Sequence, residues 1–128
     1  MTLWLAIDDS MVENGCMRII PGSHKWGLIP HVPFTEKDQV LDQKMADIKL
    51  DESKAVDVEL KASECSFHEP FLIHGSKANT STKRRCGYTM RFMPPETKLM
   101  LSDRFANHPL YLLRGKDAKG TNSYVNVA

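Results

Sequence analysis

The sequence predicts a mainly β protein, a sandwich or barrel of short strands. Three observations predict it: short apolar or alternating runs recur along the chain, Pro and Gly interrupt them, and a single charged stretch carries a helical pattern. A length of 128 residues sets one domain, 1–128, as the expectation. Its 41% hydrophobic and 26% charged residues are ordinary for a soluble globular chain.

The elements follow in order. Leu3-Trp4-Leu5-Ala6-Ile7 is long enough for a buried strand and too short for a helix, and Met17-Arg18-Ile19-Ile20 is a second run closed by Pro21-Gly22. Asn14-Gly15 between them is a strong turn dipeptide, because both residues tolerate positive φ, so the two runs are expected to pair as a loose hairpin. The stretch from Phe34 to Lys54 is charged. Val40, Leu41 and Met45 give it an apolar face, and Thr35 with Asp38 resembles an N-cap, which predicts a short surface helix over 36–46. Val56, Val58 and Leu60 alternate with Asp57, Glu59 and Lys61 as in a half-buried strand. Cys65-Ser66-Phe67 and Phe71-Leu72-Ile73-His74 predict two more strands, split at Glu69-Pro70. Arg85 to Phe92 predicts the last, before Pro94-Pro95, and residues 96–128 form a C-terminal extension with one apolar cluster at Pro109–Leu113.

Composition narrows the function classes. A net charge of +1, with Lys83-Arg84-Arg85 the only notable basic run, gives no footprint for nucleic acid or an anionic membrane. Three cysteines, Cys16, Cys65 and Cys86, make neither a disulfide framework nor a paired zinc spacing. The first ten residues lack a signal-peptide pattern, and no run approaches the roughly 20 apolar residues of a membrane span. The expectation is a soluble, cytoplasmic protein with reduced thiols.

The chemistry concentrates near the second half. His74 ends an apolar run and Gly75 follows it, so a neutral imidazole could offer a nitrogen to a metal where backbone can approach closely. Taken alone, a histidine at a strand end is more often a hydrogen-bonded structural residue. Arg85 lies eleven residues on and could grip a carboxylate through two parallel hydrogen bonds, with the Ser76 hydroxyl adding a donor. Arg84 competes for that role, and neighbours on a strand point to opposite faces, so only one of them looks inward. His68-Glu69 is not a zinc-protease motif, since His68 and His74 are six apart with Pro70 between them. His24, His31 and His108 lie in turns or beside prolines, and Cys65 and Cys86 read as small buried thiols.

In order along the chain stand Trp4-x-Ala6-x-Asp8-Asp9, Glu13-Asn14-Gly15-Cys16, Pro21-Gly22-Ser23-His24, His74-Gly75-Ser76-x-x-Asn79 and the late arginine. This series, from about residue 2 to about residue 95, resembles the phytanoyl-CoA dioxygenase family of iron(II)- and 2-oxoglutarate-dependent oxygenases. The resemblance implies a double-stranded β-helix, a cupin-like jelly roll, with one short helix. It implies His74 as the distal iron ligand, and Arg85 and Ser76 as partners of the far carboxylate of 2-oxoglutarate. Trp4 then lines the cosubstrate pocket, and the separation from His74 favours Arg85 over Arg84. Asn14-Gly15, the Pro21–His24 turn and Asn79 read as scaffold. The family's other two iron ligands form a His-x-Asp pair a short way before the strand holding Trp4. This chain begins three residues before Trp4 and contains no His-x-Asp.

The expectation is therefore an N-terminally truncated barrel, the C-terminal part of an oxygenase that hydroxylates a small organic substrate and releases succinate and CO₂. Alone it is expected to be inactive for lack of two ligands. The alternatives are a non-catalytic carboxylate-binding or interaction module that has lost the iron site, and a structural fragment that needs another chain. Open sheet edges imply self-association.

Overall fold

Alternation in the sequence becomes two antiparallel sheets of three strands and a separate strand pair. The computed structural model describes residues 1–33, 43–46, 48–100 and 107–126. Among them the strands are β1 (Thr2–Ala6), β2 (Met17–Ile19), β3 (His31–Pro33), β4 (Gln43–Met45), β5 (Val56–Val58), β6 (Cys65–His68), β7 (His74–Ser76) and β8 (Gly87–Arg91). The first sheet has the order β6-β1-β8, the second β5-β2-β7, and β3 pairs with β4. The chain divides into two compact units, Met1–Arg91 and Phe92–Ala128, and both three-stranded sheets lie in the first.

Register decides which residues share a face. Trp4 stands opposite Ser66 and Thr89, and Thr2 opposite His68 and Arg91. Trp4, Ala6, Ser66, His68 and Thr89 therefore occupy one face, and Leu3, Leu5, Cys65, Phe67, Tyr88 and Met90 the other. In the second sheet Ile19 faces Val56 and His74, and Met17 faces Val58 and Ser76. The rings of His68 and His74 lie 4.8 Å apart, so the Trp4 face is turned toward β7. Apart from Trp4, the first sheet thus sends polar and small residues inward, and its other face leaves Phe67 61% and Tyr88 59% exposed. Among the described residues the buried hydrophobic side chains are Ala6, Cys16, Met17 and Ile20.

Three expectations are corrected. The runs around Trp4 and Ile19 are not a hairpin: β1 is flanked by β6 and β8, β2 by β5 and β7. The chain between them winds through a 3-10 turn at Val12–Asn14, closed by Gly15 at φ +80°, and crosses from one sheet to the other. Local turn chemistry was right and the pairing partner was wrong, because non-local strands fill both flanks of β1. Residues 71–73 are not strand. The Leu72 N–H bonds back to the Glu69 carbonyl at 3.2 Å across Pro70, so His74 begins β7 and does not end a run. Within the predicted helix 36–46, residues 36–42 lie outside the described residues, while Gln43–Met45 is a strand paired with His31–Pro33. Its helical pattern was weak, and a cross-strand partner overrides propensity of that size. The described residues contain short 3-10 turns at Val12–Asn14, Ser23–Trp26 and Glu52–Lys54.

Candidate functional site

Two scaffolds converge on the inward side of the first unit. One holds His74. Gly22, at φ +82°, turns the chain so that Ser23 is fully buried, and the Ser23 hydroxyl accepts the Ile73 N–H at 2.8 Å. The Ile73 carbonyl accepts the Ile20 N–H at 3.0 Å. The residue before His74 is thus bound through both of its peptide groups. His74 Nδ1 lies 2.7 Å from the Leu72 carbonyl oxygen. A carbonyl can only accept, so Nδ1 carries a proton, and in the neutral ring Nε2 then holds the lone pair. That tautomer is the one a metal-binding imidazole needs. Ser76, two residues on, is exposed on the same face of β7.

The other scaffold holds Arg85. The Asp8 carboxylate accepts two hydrogen bonds from the Arg84 guanidinium, both 2.8 Å, and one from the Cys86 N–H at 2.9 Å. The bond from Arg84 in particular holds the Asp8 carboxyl below its ordinary range. The buried Asn14 side chain donates to the carbonyls of Asp9 at 2.8 Å and Arg84 at 3.2 Å and accepts the Met11 N–H at 2.7 Å. Both neighbours of Arg85 are therefore tied to the Asp8–Asn14 loop. The Arg84 side chain is spent there, exposed. Arg85 goes to the other side, half-buried, and its guanidinium stands 5.8 Å from the centre of the Trp4 ring, a cation–π distance. Trp4 in turn lies flat against Gly87, where a Cβ would collide with the indole.

The loops between these scaffolds are braced. A Cβ on Gly15 would meet the Lys77 carbonyl oxygen at 2.7 Å, so the Asn14-Gly15 turn packs against the strand that leaves Ser76. Asn79 donates to the Lys83 carbonyl at 2.7 Å and accepts the Ser81 N–H at 2.8 Å, closing the loop between Ser76 and Arg85. Asp9 accepts the Ala62 N–H at 2.9 Å and pairs with Lys61 at 3.3 Å.

The structure brings Arg85 to Trp4, and it places His74 and Ser76 on one face of β7. Among the described residues no hydrogen bond joins Ser76 to Arg85, and no carboxylate pairs with Arg85. A recess of about 720 Å³ lies elsewhere, lined by Asp8, Asp9, Glu13, Lys61, Lys83 and Arg84 among others. Its charges neutralise one another in the pairs Asp8–Arg84, Asp9–Lys61 and Glu13–Lys83, so it offers a ligand little.

Sequence reasoning missed Ser66 and His68. Both turn inward with Trp4, and Ser66 Oγ and His68 Nδ1 are buried without a hydrogen-bond partner. Burial keeps the His68 imidazole below its ordinary pKa, hence neutral near pH 7. The signal was their alternation with Cys65 and Phe67, which puts two polar residues on one face of a strand.

Among the described residues no group of three His, Cys, Asp or Glu side chains is placed to hold a metal ion. His74 offers one donor, and iron does not find a complete donor set within these residues.

The family model for phytanoyl-CoA dioxygenase (PhyH) matches residues 1–87. The chain belongs to the phytanoyl-CoA dioxygenase family. A phytanoyl-CoA dioxygenase of Arabidopsis thaliana is 31% identical over 116 residues, which is 87% of this chain and 40% of that protein. The chain thus spans well under half the length of that family member. Among solved structures, EvdO2 from Micromonospora carbonacea var. aurantiaca, complexed with 2-oxoglutarate, is 25% identical with a TM-score of 0.59, covering 69% of this chain and 35% of that one. The epimerase SnoN, in complex with Fe3+, alpha ketoglutarate and nogalamycin RO, is 32% identical with a TM-score of 0.50, covering 69% and 32%. The phytanoyl-CoA dioxygenase family is one of iron- and 2-oxoglutarate-dependent oxygenases, and its mainly β architecture is the one seen here.

Proposed function

We propose that this chain is the C-terminal part of the catalytic core of an iron(II)- and 2-oxoglutarate-dependent dioxygenase that hydroxylates a small organic molecule. The observation that carries the reading is the hydrogen bond from His74 Nδ1 to the Leu72 carbonyl, which leaves Nε2 as a free donor on the inward side. Arg85 supports it: a half-buried guanidinium, placed over Trp4 and without a carboxylate partner among the described residues, suits the far carboxylate of 2-oxoglutarate. Ser76 contributes a hydroxyl to the same end of the cosubstrate, and Trp4 forms the wall beside it.

In this reading the sheets β6-β1-β8 and β5-β2-β7 are the two walls of a jelly roll, each with three of its four strands. Residues 1–128 are one domain of which 96–128 form the C-terminal extension. The remaining two iron ligands come from a His-x-Asp segment outside these residues. Free sheet edges also suit self-association. The free cysteines Cys16, Cys65 and Cys86 suit a cytoplasmic location, with neither nucleic acid nor membrane as partner.

A second reading, a carboxylate-binding module without iron, draws on the incomplete donor set together with a fully formed Arg85–Trp4 anchor. Succinate formation with added iron(II) and 2-oxoglutarate separates the two. The 128-residue chain is expected to bind iron poorly and to give no turnover. A longer form of the protein carrying a His-x-Asp segment is expected to turn over, and His74→Ala in it to abolish that activity. Robust turnover by the short chain would mean that the metal lies elsewhere. A longer form that binds 2-oxoglutarate and does not turn over would favour the module.

A further inference from the structure

Two things about His74 need a cause beyond its own strand. It stands exposed at the first position of an edge strand, and among the described residues its side chain hydrogen-bonds only to the Leu72 carbonyl. That bond sets the tautomer only while the ring keeps its plane, and a half-turn about the Cβ–Cγ bond would break it and carry both nitrogens to new places. Across the inward space stands His68. It is 8% exposed, its ring centre is 4.8 Å from that of His74, and the planes are tilted by 48°. That separation and tilt fall in the range of aromatic pairs that attract through edge and face. His68 Nδ1 is buried and unpartnered, and leaving such an atom unpaired costs stability against an apolar ring of similar size. His68 is thus held in place by burial and by its contact with His74, not by hydrogen bonding.

We propose that His68 is a positioning residue: its buried ring fixes the plane and the tautomer of His74, so that the proton stays on Nδ1 and the lone pair on Nε2. The proposal rests on the reading of His74 as a donor for its importance, while the positioning itself is a property of the chain alone. His68 acts through shape, as the wall against which the His74 ring is set, and the backbone on either side supplies the rest. The Ser23–Ile73 bond fixes where His74 begins, and the Thr2–His68 register of β6 against β1 fixes where the wall stands.

The test uses the 128-residue chain labelled with ¹⁵N in its histidine rings, whose long-range proton–nitrogen spectra report the tautomer of each imidazole. In the native chain His74 is expected to give a single Nδ1–H form and a ring-to-ring Overhauser contact with His68. His68→Ala is expected to convert His74 to a mixture of both tautomers, and His68→Phe, which restores a ring of similar width, to return it to the single Nδ1–H form. An unchanged His74 in His68→Ala overturns the proposal, and so does a mixed tautomer in a folded His68→Phe. Where a variant does not fold, the native spectrum still decides, because absence of the ring-to-ring contact or of a single tautomer overturns the proposal on its own. Cobalt(II) added to the native chain reads the donor role separately, through shifts of the His74 resonances. A negative result there bears on the proposed function and leaves the positioning result as it stands.

Discussion

The loops at Asp8–Cys16 and Asn79–Cys86 and the inward strand faces around His74 use polar side chains in opposite ways. In the loops most polar groups are spent, the buried Ser10 hydroxyl being an exception. Asp8 holds Arg84 and the Cys86 amide, Asn14 holds three backbone groups, and Asn79 closes its own turn. On the inward faces they are left over: Nε2 of His74, the Arg85 guanidinium, Ser66 Oγ and His68 Nδ1 have no hydrogen-bond partner in the described chain. A satisfied polar group stabilises a fold, and an unsatisfied one in a half-buried place is kept at a cost that a bound ligand can recover. The adjacent arginines compress the contrast into two residues, one bound within the chain and the other held ready.

Substitutions can break that contrast from either side. The largest effect is expected at the unspent arginine. Arg85→Ala in the longer form should weaken 2-oxoglutarate binding by about 2–5 kcal/mol, measured by calorimetric titration. Its unfolding free energy should change by only about 0.5–1 kcal/mol, the worth of an exposed cation–π contact. Equal losses of binding and stability would erase the distinction between the regions. Asn14→Ala should do the reverse. It strands three backbone groups, one of them the carbonyl beside Arg85, and should lower unfolding free energy on the order of 3 kcal/mol in urea titrations. Gly15→Ala comes next, at about 1–3 kcal/mol, because the left-handed backbone and the nearby Lys77 carbonyl both resist a Cβ. The smallest effect is the acid response of Asp8. The bonds from Arg84 depress its pKa in the folded chain, so its contribution is present above about pH 4, the unfolded value, and is lost as pH falls through the folded one. Stability measured between pH 5 and pH 2 should therefore fall more for the native chain than for Asp8→Asn.

How much of this was legible depended on the range of the interactions. The positions of β1, β2, β5 and β6 follow from alternation and apolar runs, which are local. That Arg84 and Arg85 part company also follows from adjacency, although the agent that separates them, Asp8, lies 76 residues away and no spacing rule points to it. The hairpin expectation failed for the same reason: Asn14-Gly15 does make its turn, and nothing near it tells β1 to choose β6 and β8. The spacing of Val40, Leu41 and Met45 reads as a helical face, and nothing local to it reveals that Gln43–Met45 pairs with the strand at His31–Pro33. By spacing alone His68 is only half of a zinc-protease motif that the chain does not complete. Its meaning comes from register, since only the pairing of Thr2 with His68 turns that ring toward His74.

The central place of β1 has a consequence in time. Its partners across the first sheet are Cys65–His68 and Gly87–Arg91, so Thr2 meets Arg91 only after the intervening chain has been made. At about 5–20 residues per second on the ribosome, that interval is roughly 4–18 s. Until Cys65–His68 has been made the segment Thr-Leu-Trp-Leu-Ala waits with both edges open, and one edge stays open until Gly87–Arg91 follows. The strand that ends as the middle of the sheet is the one that spends longest unpaired, and the speed of translation through Arg91 sets how long a chaperone must shield it.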